Sequence, residues 1–253
     1  MRTASKCAAL GLISGGLGVA CLVGPLVLWA GMGDAEAKRS PCPAEMAHVG
    51  AFCMDRWEAF VVEMLPRQKT KAHSPYVSVE GLKVQAISRA RSVPQAYISG
   101  AEAQMACKNA GKRLCTEVEF EGACEGARKA TWPYGESHQN GACNDHGKSP
   151  LDVIFADLGP QRYEPLAMND PRLNQVKGTL ARTGSHKRCH SGNGIYDLVG
   201  NLHEWTDDPS GTFRGGYYLD THINGDGCHY RTSAHHFGYH DYSTGFRCCK
   251  NAR

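Results

Sequence analysis

Gly194-Ile195-Tyr196-Asp197-Leu198-Val199-Gly200-Asn201-Leu202-His203-Glu204-Trp205-Thr206 is the stretch whose reading decides the fold of this chain. Thirteen residues hold two glycines, two aromatics and three acidic or amide side chains, Asp197, Asn201 and Glu204. Gly200 lets the backbone bend so that carbonyls turn inward. Hard oxygens around a bent backbone suit a Ca²⁺ ion. The order of ligands is not that of an EF-hand loop. A tight turn with Trp205 in a core is the plainer reading of the same residues.

Motifs on either side widen the reading. Gly111-Lys112-Arg113-Leu114-Cys115-Thr116-Glu117-Val118-Glu119-Phe120-Glu121 precedes the stretch, and Phe213-Arg214-Gly215-Gly216 and Gly245-Phe246-Arg247-Cys248 follow it. Together, in this order, they resemble the signatures of the formylglycine-generating enzyme family, the sulfatase-modifying factors. The likeness runs from about residue 46 to the C-terminus. It implies a coil-rich α+β fold related to C-type lectins, held by metal and disulfides. It also implies a calcium site in which Asp197 and Glu204 give carboxylates while Gly200 and Leu202 give backbone carbonyls. Asn144-Asp145 stands where the family begins a second calcium site, with the remaining ligands unassigned. Met54-Asp55-Arg56-Trp57-Glu58 resembles the family's opening strand.

With 253 residues, the chain can form one large domain or two small ones, and no internal repeat is visible. The net charge of +3 comes from well-mixed acids and bases. That gives no electrostatic footprint for nucleic acid. Arg2 and Lys6 precede residues 7–33, which carry no charge, and Ala35-Glu36-Ala37 is a small-residue cleavage signal. Residues 1–37 therefore read as a signal peptide cleaved after Ala37 or as an uncleaved membrane anchor. Residues 38–253 form the domain. Either reading places the domain outside the cytoplasm, secreted, periplasmic or anchored at the cell envelope, with the membrane touched only through the N-terminal segment.

Cysteine usage agrees with export. Beyond Cys7 and Cys21 there are ten cysteines, and no Cys-x-x-Cys pair of the zinc type. An even count in an exported chain reads as a disulfide framework. Cys42 and Cys53 flank one turn and pair locally. The family resemblance implies the rest: Cys107 with Cys248, Cys124 with Cys228, Cys143 with Cys189, and Cys115 with Cys249. Spacing alone does not choose, since ten cysteines allow hundreds of pairings.

Local signals place two helices. Ser99 and Glu102 form a capping box for a helix ending near residue 110, with Gly111 as its left-handed cap. Thr116 and Glu119 form another for a helix ending near residue 124. Glu117, Glu119 and Glu121 suit the positive end of that helix as solvated carboxylates. Residues 66–94 read as loop with a short strand at 76–79. Residues 128–190 read as irregular chain.

The chemistry rests on late residues. Enzymes of the family hold Cu(I) on two cysteines, activate oxygen and convert a sulfatase cysteine to formylglycine. Cys228 lies near the second of those positions, one residue out of register. His222 or Ile223 lies near the first, so the thiol pair is not matched. The expected function is thus a calcium-stabilised, monomeric, non-oxidase member that binds a protein, peptide or glycan or assists envelope assembly. The alternative is a copper-dependent oxidase maturing sulfatases with Cys228 as one ligand. His222, His229, His235, His236 and His240 offer a third reading, a transition-metal enzyme using iron; hydrogen-bonded surface histidines are its bland counterpart.

Overall fold

The computed structural model describes residues 40–253. The signal or anchor segment, with Cys7 and Cys21, lies outside the described residues. Among the described residues, no helix is long and apolar enough to cross a membrane.

The chain opens with a hairpin. Strand β1 (Met46–Val49) pairs antiparallel with β2 (Phe52–Asp55), with Val49 opposite Phe52. Gly50 takes φ +57°, as the first central residue of such a two-residue turn requires. Strand β3 (Ala59–Leu65) then receives β4 (Lys69–Ala72) on one side and β5 (Val84–Ser88) on the other. This corrects the expectation for residues 66–94. The strands lie at 69–72 and 84–88. Residues 74–82 form turns, with amide–carbonyl bonds from Val77 to Ser74 and from Leu82 to Val79. Pairing with β3 decided the outcome. β5 buries Val84, Ala86 and Ser88 on alternate positions, whereas β4 is exposed throughout and carries two lysines, as an unprotected edge should.

Helix α1 (Gly100–Asn109) begins with the full Ser99/Glu102 capping box and ends before Gly111 at φ +68°. Its buried face carries Ala103, Ala106 and Cys107, the three- and four-residue spacing of an amphipathic helix. Strand β6 (Arg113–Leu114) leads into α2 (Glu117–Glu125), whose capping box is Thr116/Glu119. Residues 126–190 are mostly irregular, with the short helices α3 (Pro150–Ile154) and α4 (Pro165–Met168) and brief 3-10 turns. Strands β7 (His203–Trp205), β8 (Phe213–Arg214), β9 (Arg231–Thr232) and β10 (Thr244–Gly245) form a second four-stranded sheet in the order β10-β7-β8-β9. β11 (Cys248–Asn251) lies between β2 and β6 in the first sheet.

All ten cysteines of the described residues are paired, in the connectivity the family resemblance implies. Cys248 and Cys249 are neighbours on β11, so their side chains point to opposite faces. Cys248 joins Cys107 of α1 in the core around Ile98, Trp205 and Phe246. Cys249 joins Cys115 in the core around Phe120, Ile195 and Val199. One strand thereby fastens two hydrophobic cores. These links span 141 and 134 residues. Closing loops that long removes about 4–5 kcal/mol of unfolded-chain entropy each in the chain-entropy account.

Candidate functional site

The signature stretch folds as a loop that feeds β7. Asp197, Gly200 and Asn201 all take left-handed backbone angles, φ +58°, +78° and +61°. Asn and Asp tolerate that region, and Gly pays no steric penalty in it. A Cβ at Gly200 would collide with the Asn144 carbonyl. That close approach puts Asn144 beside the loop, where its carbonyl accepts from the Asn201 amide at 2.9 Å. Asn201 is the hub. Its Oδ1 accepts from Ala181 N and Asn144 Nδ2, and its Nδ2 donates to Glu58 Oε2 at 2.6 Å. Along β7 the side chains then alternate. Trp205 packs edge-on against Phe213 and donates Nε1–H to the Ile98 carbonyl. Core tryptophan and polar loop are therefore parts of one device.

Glu204 points the other way, to Arg247. The guanidinium donates to both Glu204 oxygens at 2.6 and 2.5 Å, and to the carbonyls of Asp55, Tyr196 and Asp197. Arg247 and Glu204 are each 1% exposed. Two more buried carboxylates stand near. Asp197 Oδ2 accepts from Gly184 N, and Glu58 Oε1 accepts from Leu202 N. Burial raises all three carboxyls. Asp197 is pushed up to about 7, with the Gly184 amide and Arg247 opposing. Glu58 is pushed well above its ordinary value by burial and then by Asp197 and Glu204. Glu204 is raised by burial despite Arg247. Three buried carboxyls thus lie near one guanidinium, which bonds the Glu204 carboxylate directly. Asp55, beside them, is paired with Lys112 at 2.6 Å.

The donor chemistry of this set is that of a hard cation's ligands, although Arg247 occupies both Glu204 oxygens. Asp197, Glu58 and Glu204 offer carboxylate oxygens, and Gly200 and Leu202 lie in the same bent loop. A divalent cation bound there would favour the ionised form of carboxyls that burial otherwise holds toward neutrality. Glu58 and Arg247 stood in the sequence only as members of strand motifs. Their acid–base pairing with the loop has no local signal, because Glu58 lies 143 residues from Asn201.

Asp145 goes elsewhere. Asn144 faces the loop, but the Asp145 carboxylate, 2% exposed, pairs through Oδ2 with His138 Nε2 at 2.8 Å. Among the described residues, two groups bring three His, Asp or Glu ligand atoms within 4.8 Å of one another. They are His138, Asp145 and His146, and Glu121, Glu125 and His229. Neither includes Asp197 or Glu204.

The late region is closed to thiol chemistry as it stands. Cys228 is fully buried and bonded to Cys124. Ile223 is exposed, and His222 pairs through Nδ1 with Asp226 at 2.8 Å. The five late histidines do not converge. His229 pairs with Glu121, His235 stacks on Tyr239, His236 accepts from the Gly238 amide, and His240 pairs with Asn169. His203, which carried no expectation, is buried among Phe213, Tyr217 and Tyr230. Burial pushes its imidazole down to about 3, so it is neutral at pH 7. The α2 carboxylates are not simply solvated. Glu117 pairs with Arg231, Glu119 with Arg113 and Glu121 with Arg214.

Fold and motifs define a sulfatase-modifying-factor domain. Residues 26–252 match the family model described as "Sulfatase-modifying factor enzyme 1-like domain", and the chain belongs to that family. It is 30% identical over 137 residues to "Inactive C-alpha-formylglycine-generating enzyme 2" of Bos taurus, across 51% of this chain and 39% of that protein. The match thus covers about two fifths of that relative's length. Among solved structures, PvdO from Pseudomonas aeruginosa is similar at 13% identity and a TM-score of 0.48, covering 79% of this chain and 80% of that one. A "Major Tropism Determinant I1 Variant" is similar at 13% identity and a TM-score of 0.49, covering 84% of this chain and 54% of that one.

Proposed function

We propose that this chain is an exported, calcium-stabilised member of the family that acts by binding a protein, peptide or glycan at the cell envelope, without formylglycine-generating oxidase activity. The observation that carries the reading is the Cys124–Cys228 disulfide. Copper(I) is held by thiolates, and a disulfide sulfur is no thiolate. The other family position is taken by His222 or Ile223, so reduction of Cys228 would restore only one thiol of two. The relative of similar sequence is itself named inactive. Export accords with five disulfides, which persist in oxidising compartments. Calcium accords with the three buried carboxyls near Arg247, whose ionised forms a cation would favour. There it would be held by Asp197, Glu204, Gly200 and Leu202, with Glu58 as a further oxygen donor. Its part is structural, to fix the loop.

The test is alkylation of native and denatured protein, followed by mass spectrometry of a sulfatase-type cysteine peptide incubated with protein, copper and oxygen. No alkylated cysteine in the mature chain and no aldehyde product are expected. Alkylation at Cys228, with aldehyde formed by the wild type and lost in Cys228→Ser, would establish the oxidase instead.

A further inference from the structure

Asp145 poses a specific problem of satisfaction. Its carboxylate is buried, and Oδ1 has no hydrogen-bond partner. A buried carboxylate oxygen without a protein partner is costly, and native chains rarely leave one without a hydrogen bond, an ordered water or an ion. Among the described residues its ion pair is with His138. His146, one residue along the chain, brings a second imidazole. The three ligand atoms lie within 4.8 Å of one another.

We infer that His138, Asp145 and His146 form a binding site for a divalent transition-metal ion of the zinc class. The donor set decides the metal. Two imidazoles and one carboxylate suit Zn²⁺, whereas Ca²⁺ takes oxygen ligands alone. Three protein ligands leave a fourth tetrahedral position open. Modest side-chain rotation would close the set to the separation of about 3.4 Å that tetrahedral zinc bonds require. The ion would stand between His138 Nε2 and Asp145, which lie 2.8 Å apart, and would give Oδ1 a cationic neighbour.

The surroundings are built to hold these groups. Cys143, two residues before Asp145, is fixed by its disulfide to Cys189, and Asn144 is tied to Asn201. Trp132, nearly fully buried, packs against the His138 ring at 4.8 Å and the His222 ring at 5.2 Å. His222 stands 5.3 Å from His138, ring to ring, with its Nδ1 on Asp226. In the other group of three, Glu121, Glu125 and His229, Arg214 and Lys129 already sit on the carboxylates at 3.0 and 2.8 Å.

The site uses none of the four ligands proposed for calcium in the signature loop. The experiment is titration of chelator-stripped, oxidised protein with Zn²⁺ by calorimetry, and with Co²⁺ by visible absorption. One equivalent of Zn²⁺ should bind, with a low-symmetry Co²⁺ spectrum displaced by zinc. Asp145→Asn and His146→Ala should each weaken zinc at least tenfold, while His236→Ala, in a separate neighbourhood, should not. His146 is exposed, so His146→Ala should melt like the wild type without metal and isolates binding from folding. Unchanged affinity in the Asp145→Asn/His146→Ala double variant, absence of a zinc equivalent, or displacement of zinc by equimolar Ca²⁺ would each overturn the inference.

Discussion

Replacing Arg247 by Met is the perturbation that most directly tests the buried cluster. Arg247 joins β2 through the Asp55 carbonyl, the signature loop through the Tyr196 and Asp197 carbonyls, and β7 through Glu204. Met fills similar space but removes all five bonds and the one guanidinium near three buried carboxyls. Breaking a buried pair by deleting one partner costs about 3–5 kcal/mol, since the remaining charge is left without compensation. For a domain of this size each kcal/mol moves the melting temperature by roughly 2–4 °C, so a fall on the order of 10 °C is expected. The assay is urea unfolding followed by tryptophan fluorescence at pH 7, with chelator present and disulfides intact. A second variant, Arg247→Met with Glu204→Gln, removes both charges of the pair. It should be more stable than the sum of the single effects by about 1–3 kcal/mol. A cost below about 1 kcal/mol for Arg247→Met, or strictly additive effects, would refute the claim that this ion pair organises the site.

Calcium should raise the melting temperature of the chelator-stripped wild type by mass action, and Glu204→Ala should remove most of that increment; identical wild-type melting in chelator and calcium would sink the proposed site. Gly200→Ala should cost more than about 2 kcal/mol in urea unfolding, because φ +78° and the Asn144 carbonyl both oppose a Cβ there. Burial alone would raise the Glu119 carboxyl, but Arg113 and Thr116 hold it below its ordinary value. A depressed carboxyl stabilises the fold above its unfolded pKa and loses that contribution as pH falls through the folded one. Glu119→Gln should therefore cost about 1 kcal/mol at pH 7 and progressively less below pH 4.5; a pH-independent cost would contradict the ion pair.

Both main helices were legible in the sequence, because their signals are local. Ser99 with Glu102 and Thr116 with Glu119 satisfy amides three residues away, and that geometry needs no tertiary partner. The signature stretch and its companions identified the fold, and the family resemblance supplied the disulfide pairing that spacing left open. What only the tertiary structure decided are meetings between distant residues. β4 and β5 form because β3 offers both edges, whatever the prolines around them suggest. Glu204 meets Arg247 across 43 residues, and Asp55 meets the Cys248 amide across 193. Asn144 and Asp145 are adjacent in sequence. Consecutive residues project in different directions, so the fold gave Asn144 to the signature loop and Asp145 to His138. The five late histidines looked like one cluster, but proximity in sequence says little where the backbone turns as often as it does here. Side-chain chemistry is written residue by residue, but a site depends on which residues the folded backbone brings within a few ångströms.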